Sequence, residues 1–299
     1  MGRGTPAGPV PGLAGHRRRV RRRPVAPQIT FIAGLVLLLG MFGVALLAPH
    51  IVAHDPYAQR ITERLRPPLW QAGSGRPHLL GTDQLGRDVW SRLAYGGRVS
   101  LVVGFVAVGL SAVLGSALGL MAGYRGGRVG DFLMRLADAQ NAFPFLVIAL
   151  SAMAVLGPSF RNLVIVLAFW GWMPFGRLVR GEVLSIKTRE FVLAAKQLGA
   201  TEGRILARHV LPAVLPSLVV LATFMVAQTI VAESALSFLG FGVQPPTASW
   251  GAMLSGGRVY LTAAWWLSTF PGLAIMLTVL SVNLLGDTLR DRLDPRDRL

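Results

Sequence analysis

Cysteine is absent from the 299 residues, charged residues make up only 15%, and acidic residues are scarce, 14 against 30 basic. Without cysteine there can be no disulfide, cysteine metal site or thiol nucleophile, and the redox compartment is left open. So little charge beside 53% hydrophobic residues excludes an ordinary soluble domain. The formal net charge of +16 would fit a nucleic-acid footprint if it lay along one soluble face, but long uncharged apolar runs divide it. The chain therefore reads as an all-α integral membrane protein.

Catalytic sets are lacking too. A phosphate-binding loop needs a second glycine just before its lysine; Gly181 and Lys187-Thr188 have the outer spacing, but Ile186 takes that glycine's place. No paired aspartates and no serine with histidine lie within the apolar runs, which excludes an intramembrane protease, and no chain of Asp, Glu and His crosses them as a proton-coupled pump would need. His50 and His54 stand four apart beside Asp55, but Pro49 and Pro56 frame them, so no metal site is assigned and no catalytic residue is named.

What is present is six stretches that meet or approach the ~20 apolar residues of a membrane-spanning helix. They run from about Ile29 to Ala53, Val99 to Gly123, Asp131 to Leu156, Asn162 to Leu184, Val214 to Leu236 and Ala264 to Gly286. Pro144 and Pro271 should kink the third and sixth, and Arg177 should snorkel from the end of the fourth. Trp265 and Trp266 suit an interfacial belt. The first run is longer than a signal-peptide core and lacks a clear cleavage pattern, so it reads as a retained anchor. The organisation is a disordered basic tail (1–28), a first span (29–53), an extracytoplasmic segment (54–98), a five-helix core (99–287) and a cytoplasmic C-terminus (288–299).

Orientation follows the basic residues. Arg17, Arg18, Arg19, Arg21, Arg22 and Arg23 precede the first span, and the next basic residue is Arg60. With the N-terminus cytoplasmic, 21 basic residues lie inside and 9 outside. The seven arginines between the first two spans argue the other way.

Ser111, Gly115, Gly119 and Gly123 recur every four residues and place a small-residue face on the second span, where another backbone can approach. Asp138, Asn141, Gln228, Glu233 and Asn283 are candidates for lining a pathway, since polar groups in spans face protein or water. Glu233 lies near a helix end, where hydration would equally satisfy it. The segment 187–212 carries a short helix with Phe191, Ala194, Ala195 and Leu198 as one apolar stripe. Gly199 ends it, Thr201 caps a second short helix over 202–210, and Pro212 stops that one. Such a helix pair fits either a groove in a soluble partner or the membrane surface.

Leu193-Ala194-Ala195, Gly199, His209 and Leu211-Pro212 keep the spacing of the EAA loop of ABC-importer permeases, with Leu193 and His209 departing from its usual Glu and Ile. The run His78 to Asp88 (HLLGTDQLGRD), Ala232 to Gly242 (AESALSFLGFG), Pro245-Pro246, Ser249-Trp250-Gly251, Asn283 to Asp287 and Asp294-Pro295-Arg296 resemble the C-type subunit of dipeptide, oligopeptide and nickel permeases. The resemblance implies a type I ABC importer permease fold in the bacterial or archaeal inner membrane, with no cofactor of its own. A homologous second permease would complete the pathway, two cytoplasmic ATPase subunits would use ATP and Mg, and an extracytoplasmic binding protein would deliver substrate. It also implies that Phe191, Ala194, Ala195, Leu198, Gly199, Leu211 and Pro212 form the ATPase-coupling contact. Nickel or another small solute remains an alternative cargo. A stand-alone secondary transporter or channel is the rival of another class.

Overall fold

The computed structural model describes residue 1, residues 27–73 and residues 78–293. Most of the basic tail, Arg76 and the Asp294-Pro295-Arg296 motif lie outside the described residues. Within them, apart from a Thr82–Asp88 bridge, the chain is helix, turn and loop.

Among the described residues, five helices are long and apolar enough to cross a membrane, and a bent pair makes a sixth span if taken as one. The five are α1 (Pro27–Leu46), α3 (Val89–Arg125), α6 (Phe160–Ile186), α9 (Leu211–Phe238) and α11 (Trp266–Leu293). A short α2 (Ala48–Ile51) follows a break at Leu47, so the first span ends earlier than the apolar run does. The second span begins ten residues before its expected start. Asp88 caps α3, its Oδ2 accepting from the Ser91 amide at 2.8 Å and the Ser91 hydroxyl at 2.7 Å. At about 1.5 Å per residue, the 37 residues of α3 exceed the roughly 30 Å hydrocarbon core and carry its N-terminal turns beyond it.

The third apolar stretch forms two helices, α4 (Gly127–Asn141) and α5 (Phe145–Leu156), bent by 91° at their junction, far sharper than a proline kink; together they are apolar enough to count as one broken span. Pro144 is the N-cap of α5, in extended backbone, and it biases Phe143 away from helical geometry, so the chain turns and starts afresh. Pro271, by contrast, lies inside a continuous α11.

The expected small-residue face of α3 packs on α6 in register. The Ser111 hydroxyl donates to the Ala168 carbonyl at 3.0 Å. A Cβ on Gly119 would stand 2.6 Å from the Gly176 carbonyl oxygen and 2.8 Å from Val179 Cβ, and one on Gly123 would stand 2.7 Å from Val183 Cβ. At Gly115 an added Cβ would collide with the Trp172 carbonyl. Residue numbers rise together on both helices, so α3 and α6 run parallel. Their starts share the end that carries the 54–88 segment, and their finishes share the end that carries 187–210. The core surrounds this seam, with Leu101, Val108, Phe175, Val179 and Val183 buried against Val214, Ile230 and Val282.

Candidate coupling surface and pathway

The loop after α6 contains α7 (Glu190–Gln197) and α8 (Glu202–Ile205). Gly199 adopts φ +78°, its amide donates to the Lys196 carbonyl and the Ala200 amide donates to Ala195, both at 3.1 Å. This pair of bonds is a Schellman closure, which glycine makes without Cβ strain. Thr201 occupies the N-cap of α8, but its side chain makes no capping hydrogen bond. Pro212 does not stop the second helix. A π-helical turn over Leu206–Val210 carries α8 into α9, and the Leu211 amide reaches back to the Leu206 carbonyl. Such a widened turn relieves the clash of a proline ring with the carbonyl four residues earlier, that of Arg208.

The apolar stripe on α7 divides in two. Ala195 turns inward with Val192, a residue the stripe omitted, and both join the core with Ile205 and Val210. Phe191, Ala194 and Leu198 face outward, with Leu198 88% exposed and Phe191 44%. α7 is apolar on both sides because Phe191 through Ala195 form an unbroken apolar run, so one face anchors the helix and the other is free. Lys187 Nζ donates to the Gly123 carbonyl at 3.1 Å, tying the root of the loop to α3.

The candidate pathway residues separate. Gln228 lines a cavity of about 220 Å³ with Phe145, Trp170, Met225 and Thr229, between α5, α6 and α9. Asp138 accepts from Arg177 Nη2 at 2.7 Å, so Arg177 finds an ion-pair partner on α4 where snorkelling was expected. Asn141 is exposed at the end of α4, and Asn283 is half-buried on α11. Glu233 is fully buried. Ser237 donates to its Oε1 at 2.7 Å and Ser234 to its Oε2 at 3.3 Å, with Ser100 and Ser249 also hydrogen-bonded to it. A carboxylate enclosed by four hydroxyls joins α3, α9 and the start of α10 (Trp250–Gly257); it does not face an open path in this chain. Gln140, another of the few polar residues near the spans, accepts from Trp172 Nε1 at 2.9 Å and donates to the Trp170 carbonyl at 3.0 Å, latching α4 to α6.

At the opposite end, the described residues of the arginine-rich segment form an ion network. Glu63 lies 3.6 Å from Arg60 and 3.9 Å from Arg66, and Asp83 lies 2.7 Å from Arg87 and 3.5 Å from Arg92. Burial pushes the Glu63 carboxyl up, but its hydrogen bond from His78 and the Arg60 and Arg66 charges outweigh that and hold it below its ordinary value. Gly86, at φ +71°, brings the loop against the Arg60 carbonyl, where a Cβ would collide. The Trp266 indole is buried and donates to the Thr82 carbonyl at 3.2 Å, so it belongs to this folded cap, while Trp265 stays partly exposed. Among the six described arginines of this segment, four thus lie beside buried carboxylates. His50, His54 and Asp55 do not form one cluster: Asp55 caps the Tyr57 amide at 2.8 Å, and His54 lies against His78 and Asp88.

Comparison with known proteins agrees with this architecture. The family described as "Binding-protein-dependent transport system inner membrane component" matches residues 115–298. A putative peptide transport system permease protein of Brucella suis is 43% identical over 290 residues, covering 97% of this chain and 93% of the relative. The di/tripeptide transport system permease protein DppC of Pseudomonas aeruginosa is 43% identical over 265 residues, covering 89% and 88%. The glutathione transport system permease protein GsiD of Pectobacterium atrosepticum is 38% identical over 279 residues, covering 93% and 91%. Among solved structures, a chain of the inward-facing MetNI methionine ABC transporter superposes with a TM-score of 0.55 at 19% identity, covering 68% of this chain and 96% of that one; this likeness concerns the fold. With more than half of the chain matched by the family and relatives aligned over nearly its full length, the protein belongs to the inner-membrane permease components of binding-protein-dependent ABC importers.

Proposed function

We propose that this permease forms half of a membrane pathway for di- or oligopeptides and receives the ATPase stroke through the outer face of α7. The observation that carries this is the exposed Phe191, Ala194 and Leu198 face on a helix whose other face, Val192 and Ala195, is packed into the bundle core. A free apolar face would slide without such an anchor. With it, a push on Leu198 is delivered to Ile205, Val210 and thence to α9. ATP binding shifts a transporter between states only as far as its contacts differ in free energy between them, and a well-packed lever preserves that difference.

In this reading both termini are cytoplasmic, as the arginines ahead of α1 favour. Two ATPase subunits holding ATP and Mg engage the 187–212 loop, while a homologous second permease closes the open side of the Gln228 cavity. A binding protein docks at the 54–98 end. Peptide cargo is favoured by the relatives, which are named for peptide, di/tripeptide and glutathione transport. Co-purification of the importer and mass spectrometry of the ligand on its binding protein tests the cargo: peptides support it, whereas a metal or another small solute refutes it.

A further inference from the structure

The 54–88 segment brings together three metal-ligating side chains that lie far apart in sequence. His54 follows α2, His78 lies in the loop before Gly81, and Asp88 caps α3. His78 Nδ1 is 2.9 Å from Asp88 Oδ1, and His54 Nδ1 is 3.9 Å from the same oxygen. The two imidazole rings lie 4.7 Å apart, and one ligand atom from each of the three residues falls within 4.8 Å of the others. Bonds of about 2.0–2.2 Å in a tetrahedral zinc site imply ligand atoms roughly 3.3–3.5 Å apart, and the two distances to Asp88 straddle that separation.

We propose that His54 Nδ1, His78 Nδ1 and Asp88 Oδ1 bind a divalent transition cation of the zinc class, which clamps the 54–88 segment to the N-terminus of α3. The surroundings are those of a prepared site. Asp88 Oδ2 is occupied by the Ser91 amide and hydroxyl, which aims Oδ1 at the two imidazoles. Behind His78, the Glu63 carboxylate lies 3.4 Å from Nε2. An Nε2–H donated to Glu63 leaves the Nδ1 lone pair facing the site, the carboxylate–histidine–metal arrangement. His78 and Asp88 are buried, whereas the His54 side chain is 29% exposed, which gives an ion a way in and leaves a fourth position for water. Nitrogen and oxygen donors without thiolate suit zinc, nickel or cobalt more than a soft ion. A protonated His78 bridging Glu63 and Asp88 would need no second imidazole, and it is His54 that separates the two readings.

The full-length permease, purified in detergent, stripped with a chelator and dialysed against Zn²⁺, is the material for the test. Bound metal is counted by plasma mass spectrometry, and Co²⁺ is then substituted to read its visible d–d bands. The wild type should retain one Zn²⁺ per chain and show the intense bands of low-coordinate cobalt with nitrogen ligands. His54→Ala should lose both, while His50→Ala, on exposed α2, should keep both. Glu63→Gln should weaken Zn²⁺ about 10- to 100-fold with the bands retained, as expected of a residue that positions a ligand. Absence of stoichiometric zinc or of the cobalt bands in the wild type overturns the proposal. So does a His54→Ala variant that binds as well as the wild type.

Discussion

The tightest constraint in the bundle is the seam between α3 and α6, and Gly119→Ala tests it with a single methyl group. The new Cβ would meet the Gly176 carbonyl oxygen at 2.6 Å and Val179 Cβ at 2.8 Å. Carbon atoms rest at about 3.5–4.0 Å, so the two helices must part by roughly an ångström or bend to the same effect. A gap of that size forfeits about a quarter to a half of each local contact, each worth ~0.1–0.2 kcal/mol, across roughly 20–40 contacts. The loss is about 1–3 kcal/mol, the usual range for overpacking. Gly109→Ala on the same helix is the control, because nothing lies within 4 Å of its added Cβ. Helix propensity makes that change neutral to about 1 kcal/mol stabilising. Both variants share that propensity gain, so their unfolding free energies in detergent should differ by the packing loss alone, about 1–3 kcal/mol, with Gly119→Ala the weaker. Equal stabilities, or a Gly109→Ala variant that suffers as much, would refute the close-packed seam.

Other expectations follow from the same geometry. Gly199→Val forces a β-branched residue into φ +78°, a conformation that costs an L-residue at least about 1–2 kcal/mol, so import and ATPase attachment should fall while membrane insertion persists; normal uptake would contradict the coupling role of this loop. Arg177→Ala removes an ion pair whose two side chains are 42% and 69% exposed, so stability should change by no more than about 1 kcal/mol; a larger loss in denaturation would mean the pair is more sheltered than it stands. A cysteine at exposed Ser185 should react with impermeant maleimide only from the cytoplasm, and labelling from outside intact cells would invert the topology.

How far the sequence reveals the molecule depends on whether local pattern or tertiary context decides each feature. The long helices are legible because apolar length alone specifies them. The Gly199 closure is legible because few residues other than glycine accept its backbone. The four-residue spacing of Ser111 to Gly123 places those residues on one face, though not the identity of α6 as the helix that meets it. Pro144 marks a disturbance in the chain, but only packing decides between a kink and a 91° turn. Glu233 looks like a helix-end carboxylate until the hydroxyls from three separate elements close around it. The arginines of 54–98 resist a sequence reading for a related reason: Glu63 and Asp83 meet arginines three or four residues away, but outside a long helix such spacing does not by itself imply contact, and Arg92 reaches Asp83 only through the fold. Val192 is overlooked because a single-stripe template cannot represent a helix that is apolar on both sides.

The central claim is that the outward face of α7 carries the force of ATP hydrolysis, and Leu198→Glu in the assembled importer tests it most directly. Leu198 is 88% exposed, so the substitution should leave the permease folded. Burying a leucine side chain in a partner's groove is worth about 1.5–3 kcal/mol, and a glutamate there should weaken ATPase attachment by roughly 10- to 150-fold. ATP-driven uptake in proteoliposomes, measured with retained ATPase and the permease melting curve, should fall with ATPase retention while the melting curve stays put. Full uptake with full ATPase retention in that variant would contradict the account.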